Sequence, residues 1–379
     1  MGTVHVKVGP RDSLIDAAVY IRVTGLKPRT SVTLTASTVD TMGKAWRFAR
    51  GTSRTRVELS IRQRTARYTA PTPAHVQWVS MLPVGWKGRP KLVGMAPPTL
   101  AQVRIAVHVH GRVVARAEIV RRTTSPDVSI DDETFEQDGF VGRFCSQPAG
   151  GPRPAVLRFG GSEGGLPGDA TCTVLASHGY PTLNLAYFGL PVLPTALSRI
   201  PLEYFERALE WLGRQPGVDP SKVVVMGISR GGEAALIIGS VYPQYVRGVI
   251  GLVPSSVVNR AFGGPDPAWT LGGAPLPFLQ IPVEQINGPV FVVGAGFDQV
   301  WSSSTYVGEI AVRMHQHGRR DVTALVYLKA GHGIGSLLPN FRRATAGQGP
   351  EGFVNLGGSP SADARVAAWP KLLRFLSEL

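Results

Sequence analysis

The chain has 379 residues, 43% of them hydrophobic and 17% charged, and carries a formal net charge of +14. Such a length exceeds what one core organises and points to two or three domains, while no apolar run reaches the ~18 residues of a membrane helix, so no membrane partner is expected. The basic balance alone admits nucleic acid, but no helix-turn-helix, zinc finger or aromatic–basic platform accompanies it; the expectation is no nucleic-acid partner and either an anionic substrate or partner or a solvated basic surface.

The N-terminus, Met-Gly-Thr-Val-His-Val-Lys, lacks the apolar core of a signal peptide, which makes a cytoplasmic protein the default. Two cysteines, Cys145 and Cys172, do not make a disulfide framework and read as small buried apolar residues. No cluster has metal-ligand spacing, so neither a metal nor a redox cofactor is expected.

Residues 10–120 read as β-structure. Residues 18–23 and 31–36 are expected strands joined by a turn over 25–29, and residues 104–109 and 113–119 an expected hairpin about His110-Gly111-Arg112. Short strands with turn signals at such intervals suggest a β-sandwich. His108 and His110 are read as structural. The Gly- and Pro-rich segment 81–98 reads as a long loop, and Thr123-Thr124-Ser125-Pro126-Asp127 as a domain boundary. The expected division is a β-sandwich domain over 1–125 and an α/β domain over 126–379.

From about residue 131 strands and helices alternate, the pattern of a mostly parallel α/β sheet. Strands are expected at 155–159, 181–187, 223–226, 246–253, 289–293 and 322–327. Helices are expected at 168–177, 202–214, 233–238, 305–316 and 362–379, with a Gly/Pro-rich excursion over 254–285. In the 202–214 helix, Phe205, Leu209 and Leu212 share one face.

The stretch Val223-Val224-Val225-Met226-Gly227-Ile228-Ser229-Arg230-Gly231-Gly232-Glu233 is a Gly-x-Ser-x-Gly sequence between a buried strand and a helix. That context is the nucleophile elbow of α/β-hydrolases: glycines let the turn close and the serine is thrust out above the sheet. A serine hydroxyl needs a histidine to take its proton, and the histidine needs a carboxylate to hold its tautomer. The order in this fold is Ser, acid, His. His332, in the loop after the 322–327 strand, lies at the carboxyl ends of the strands with Ser229. His315 and His317 close a helix at the opposite edge. Asp298, just past the 289–293 strand, is the expected acid; Asp321, Asp266 and Asp363 are placed wrongly for it. The oxyanion donors are expected from the backbone N–H of Arg230 and from Ser162 or Glu163, in the loop Gly160-Gly161-Ser162-Glu163-Gly164-Gly165, which lacks the Gly-Lys-Ser/Thr of a phosphate loop. Glu233 reads as a carboxylate favoured by the helix N-terminus rather than as a second acid.

Taken together, these residues resemble the family of acyl-CoA thioesterases and bile acid-CoA:amino acid N-acyltransferases. The resemblance is carried by residues 160–166, 175–180 (Leu-Ala-Ser-His-Gly-Tyr), 185–188 (Leu-Ala-Tyr-Phe), 201–205 (Pro-Leu-Glu-Tyr-Phe) and 227–233. Weaker echoes are 298–303 (Asp-Gln-Val-Trp-Ser-Ser), 330–332, and Gly357-Gly358. It implies a β-sandwich ahead of the hydrolase domain, Ser229 as nucleophile, Asp298 as acid, His332 as base, and an acyl thioester substrate on coenzyme A or an acidic carrier protein. In such a family a serine nucleophile goes with hydrolysis and cysteine with transfer to an amino acid, so a serine thioesterase is expected. The alternatives are an acyltransferase or cyclase passing the acyl group to an amine or hydroxyl, and a silent binding protein on a hydrolase fold.

Overall fold

The computed structural model describes residues 3–27, 30, 32–39, 45–48, 65–69, 81–83, 100–147, 151–261, 263–339 and 358–379. The chain divides into two compact units, one of residues 1–124 with 338–347 and one of residues 125–337 with 348–379.

Among its described residues the first unit is all β: β1 (His5–Gly9), β2 (Asp12–Leu14), β3 (Tyr20–Thr24), β4 (Val32–Val39), β5 (Ala45–Phe48), β6 (Thr65–Thr69), β7 (Met81–Pro83), β8 (Leu100–Val109) and β9 (Arg112–Arg122). They form two sheets, ordered β1-β3-β6 and β2-β9-β8-β4-β5-β7. Period-2 alternation gives β8 one apolar face, with Ala101, Val103, Ile105 and Val107 inside. Val8, Ile21 and Val23 from the first sheet and Val32, Val103, Ile105, Val107 and Ile119 from the second bury into one shared cluster, which makes the unit a β-sandwich. The expected hairpin is present: β8 and β9 pair antiparallel, and the chain reverses through His110 and Gly111, with φ of 49° and 80°. His108 makes a cross-strand hydrogen bond, its Nε2 lying 3.0 Å from Thr35 Oγ1 on β4. Residues 81–83 are strand rather than loop; residues 28, 29 and 84–98 of the expected turn and loop lie outside the described residues.

The second unit contains β10 (Ser129–Glu133), α1 (Phe135–Asp138), β11 (Val141–Ser146), β12 (Arg153–Phe159), α2 (Asp169–Ser177), β13 (Thr182–Ala186), β14 (Ile200–Pro201), α3 (Leu202–Gly213), β15 (Val218–Ile228) and α4 (Arg230–Val241). It continues with β16 (Gly248–Leu252), β17 (Trp269–Leu271), β18 (Ala274–Pro275), β19 (Val290–Ala295), α5 (Ser303–Gln316), β20 (Val322–Tyr327) and α6 (Gly358–Ser377). Eight strands form one sheet in the order β10-β11-β13-β12-β15-β16-β19-β20. Only the β10–β11 and β11–β13 pairings are antiparallel; the rest are parallel. This is the mostly parallel sheet of an α/β-hydrolase, the expected fold class.

Continuous burial explains why the central strands read as unbroken apolar runs. Every residue of β13, β16 and β19 is buried, because helices cover both faces of a parallel sheet. Helix α3 shows the complementary pattern, with Phe205, Ala208, Leu209 and Leu212 inside and Arg207 outside. The excursion after β16 is not formless. Its β17 pairs parallel with β14 and antiparallel with β18, so a three-stranded sheet stands apart from the main one. Among the described residues no helix is long and apolar enough to cross a membrane.

One expectation is corrected. Cys145 in β11 and Cys172 in α2 are bonded as a disulfide, with a Cα–Cα distance of 5.9 Å, and are not separate small apolar residues. Their sequence separation of 27 says nothing about proximity; the pairing arises because α2 packs over β11 and β13. Closing a loop of this size removes unfolded-state entropy worth about 3.5 kcal/mol. Reduction of the bond is therefore expected to lower the unfolding midpoint by several degrees, measured by calorimetry with and without dithiothreitol; an unchanged midpoint after titration has found two free thiols would contradict it.

Candidate active site

The elbow is built by close approach. A Cβ on Gly227 would overlap the Gly231 carbonyl, and one on Gly231 would overlap the Gly160 carbonyl, so the turn needs glycine at both positions. Between them Ser229 is forced to φ 57° and ψ −118°, outside the regions a serine normally occupies. Its backbone N–H donates to Leu252 O on β16 (2.8 Å), and its carbonyl accepts from Glu233 N (3.0 Å), which fixes the strained residue from both sides. Such strain costs roughly 1–3 kcal/mol and persists only where its surroundings over-determine it.

Asp298 follows β19 and His332 opens a 3-10 turn, His332–Ser336, after β20. Both therefore lie past the carboxyl ends of their strands, as Ser229 does past β15. The His332 Nδ1–H donates to the Asp298 carboxylate, with Oδ1 at 3.0 Å and Oδ2 at 2.9 Å. Because a carboxylate only accepts, Nδ1 carries the proton of this bond and Nε2 is the ring nitrogen not engaged by Asp298. The histidine turn abuts the elbow: a Cβ on Gly335 would lie 2.7 Å from Ile228 Cγ2. No hydrogen bond joins the Ser229 hydroxyl to His332 among the described residues.

Asp298 is held tightly. Oδ1 accepts from the Val300 N–H (3.0 Å), and Oδ2 accepts from the Ser303 hydroxyl (2.5 Å), which itself accepts from the Ala295 N–H (3.1 Å). Burial pushes the carboxyl up, but the His332 hydrogen bond and charge, with the Ser303 and Val300 donors, outweigh it and hold Asp298 below the usual carboxylate range. Its side chain is 1% exposed against 12% for His332, so the imidazole is the member of the pair that meets solvent. Trp301 packs edge-on against the imidazole at 6.1 Å and donates through Nε1 to Val253 O (3.0 Å). Val253 has φ 45°, a conformation that a β-branched residue rarely adopts.

The glycine-rich loop follows β12 and lies against Ser229, since a Cβ on Gly161 would stand 3.1 Å from Ser229 Cβ. Within it the Glu163 carboxylate turns back to accept the Gly161 N–H (3.0 Å), which leaves Glu163 holding the loop with its side chain. His315 and His317 end α5, away from the end that begins beside Asp298, and Asp321 pairs with Arg319 at 2.6 Å. Asp266 and Asp363 are exposed. None of these five pairs with Asp298 or His332.

Glu233 lies in the first turn of α4, as expected of a carboxylate at a helix N-terminus, and has a further set of partners. It is wholly buried and accepts four hydrogen bonds. Oε1 takes the Asn259 N–H (2.9 Å) and Trp269 Nε1–H (2.8 Å), and Oε2 takes Arg230 Nη1 (2.8 Å) and Asn259 Nδ2 (2.9 Å). Burial pushes this carboxyl up, opposed by Arg230 and by the Asn259 and Trp269 donors. Sequence reasoning missed Ser303, Trp301, Asn259 and Trp269 as parts of the site. Only the run Trp301-Ser302-Ser303 carried a signal, through the family resemblance. Among the described residues no group of three or more His, Cys, Asp or Glu is arranged to hold a metal ion.

Comparison with known proteins bears out the resemblance seen in the sequence. The family described as "BAAT / Acyl-CoA thioester hydrolase C terminal" matches residues 200–262 and 276–379. Acyl-coenzyme A thioesterase 1 of Homo sapiens is 28% identical over 95% of this chain and 93% of its own length. Acyl-coenzyme A thioesterase 3 of Mus musculus is 29% identical over 96% of this chain and 91% of its own. Among solved structures, a dienelactone hydrolase-like promiscuous phosphotriesterase from metagenomic libraries covers 66% of this chain and 98% of its own at 19% identity, with a TM-score of 0.47.

Proposed function

We propose that this chain, a relative of the BAAT and acyl-CoA thioester hydrolases, is an acyl-CoA thioesterase that works through a covalent acyl-serine. The carrying observation is the Nδ1–carboxylate bond of His332 and Asp298, on a turn packed against Ile228 beside the strained Ser229. Ser229 Oγ forms a bond to the thioester carbonyl carbon as its proton passes to His332 Nε2. The C–S bond then breaks and the departing thiolate takes that proton. Water, deprotonated by the same nitrogen, hydrolyses the acyl-serine ester and releases the free acid. The backbone N–H groups of Arg230 and Ser162 stabilise the oxyanion; the Gly161 N–H is occupied by Glu163. Asp298 holds the imidazole in the needed tautomer. The +14 net charge favours an anionic substrate such as coenzyme A, an acidic carrier protein being the second candidate.

The test is a thioester hydrolysis screen over acyl chain length, comparing coenzyme A with carrier-protein substrates and identifying products in the presence of amine and hydroxyl acceptors. Free acid as the product, together with labelling of Ser229 by a fluorophosphonate, is the expected result. Acyl transfer at the expense of hydrolysis would identify an acyltransferase, and failure to label would remove the serine mechanism altogether.

A further inference from the structure

The excursion after β16 carries one residue that touches both halves of the oxyanion machinery. Trp269, on β17, is wholly buried. Its Nε1–H meets Glu233, and its ring lies 5.9 Å from Arg230 Cζ. Arg230 follows the nucleophile, and its guanidinium runs out to the excursion, where Nη2 donates to Arg260 O (2.8 Å). On its other side Trp269 packs 6.0 Å from the ring of Tyr187, which follows β13. The Tyr187 hydroxyl donates to Gly161 O at 2.7 Å, with Gly160 O at 3.1 Å, and so holds the glycine-rich loop. Burial pushes the Tyr187 hydroxyl well above its usual range, which keeps it a donor at every working pH.

Each half of the site is thus secured by a side chain that leans on the same indole. Charge developing on a carbonyl oxygen is stabilised only by donors already in place, and losing one such donor typically costs roughly 10²–10³ in rate. Positioning to within about 0.5 Å depends on the groups behind those donors. A buried carboxylate with four N–H donors, drawn from α4, residue 259 and β17, is a rigid joint rather than a hinge.

We infer that Trp269 and Glu233 are positioning residues for the oxyanion donors, so that the 254–285 excursion acts as a fixed buttress of the catalytic rim. The inference rests on Ser229 being the nucleophile. Substrate contacts are not required of either residue, so a defect in them falls on the step in which negative charge builds up and spares ground-state binding.

The experiment compares wild type with Trp269→Phe, which keeps a ring and removes the N–H, and with Tyr187→Phe, which acts from the sheet side. Activity is normalised to the concentration of sites titrated by a fluorophosphonate. Both variants are expected to lose about 10- to 100-fold in kcat per titrated site with KM changed less than about twofold. Affinity for a trifluoromethyl ketone, which forms a tetrahedral adduct, should fall in parallel, while affinity for a non-reacting thioether analogue stays. A purely structural role would lower the unfolding midpoint and the number of titrated sites but leave kcat per site at the wild-type value, and that result overturns the inference. A wild-type protein that neither labels nor turns over a thioester would instead overturn the serine hydrolase reading beneath it.

Discussion

Ser229→Ala is expected to lower thioester turnover by about 10⁴-fold or more, because removing the nucleophile leaves only binding and oxyanion stabilisation. Its companion, Ser229→Gly, separates chemistry from strain. Alanine inherits the φ of 57° that the elbow imposes, whereas glycine occupies that region freely. The glycine variant should therefore be as inactive as the alanine variant yet unfold at a higher temperature, by an amount consistent with roughly 1 kcal/mol. Circular dichroism melts alongside turnover measure both quantities. Retained activity in either variant would end the assignment of Ser229, and equal melting points would place the strain elsewhere.

The second large effect belongs to Asp298→Asn. A carboxamide preserves shape but presents a donor where His332 Nδ1 needs an acceptor, so the imidazole is turned toward the wrong tautomer and loses its basic Nε2. A loss of about 10⁴ in kcat is expected. The same substitution has a stability signature. The Asp298 carboxyl is held below its unfolded value by the His332, Ser303 and Val300 contacts. Its stabilising contribution is therefore complete above the unfolded carboxyl pKa of about 4 and is lost as pH falls through the lower folded value. The gap in unfolding free energy between wild type and Asp298→Asn should thus be widest near neutrality and narrow below about pH 4. Denaturant titrations at pH 7 and pH 3 that give the same gap would contradict the ionised, hydrogen-bonded carboxylate.

The excursion holds helix α4 through Glu233, which accepts from Asn259 and Trp269. Glu233 sits in the first turn of α4, where a carboxylate is favoured by the helix N-terminus alone, and the sequence supports no more than that. Its burial beneath Asn259 and Trp269 makes it the link between the elbow and the Gly/Pro-rich excursion. Among the excursion's described residues, Trp269 and Ala268 are inside while Phe278 and Leu279 are exposed, 42% and 65% respectively. An irregular, Gly/Pro-rich sequence does not reveal which of its apolar residues turn inward.

The sequence by itself determined the α/β architecture of the second unit, because parallel strands buried on both faces must be continuously apolar and their helices must carry the 3.6-residue period. It also determined the strand-turn-helix around Ser229, where Gly227 answers to the Gly231 carbonyl four residues on, and the meeting of Asp298 with His332, because loops past strand carboxyl ends share one rim. Only the tertiary structure decided the disulfide between Cys145 and Cys172, the seating of Trp301 against Val253 O, and the burial of Glu233 under Trp269. The physical reason is common to all three. Periodicity and turn chemistry act between near neighbours in the chain, whereas these contacts depend on how separate crossovers pack over one sheet, and no local pattern encodes that arrangement.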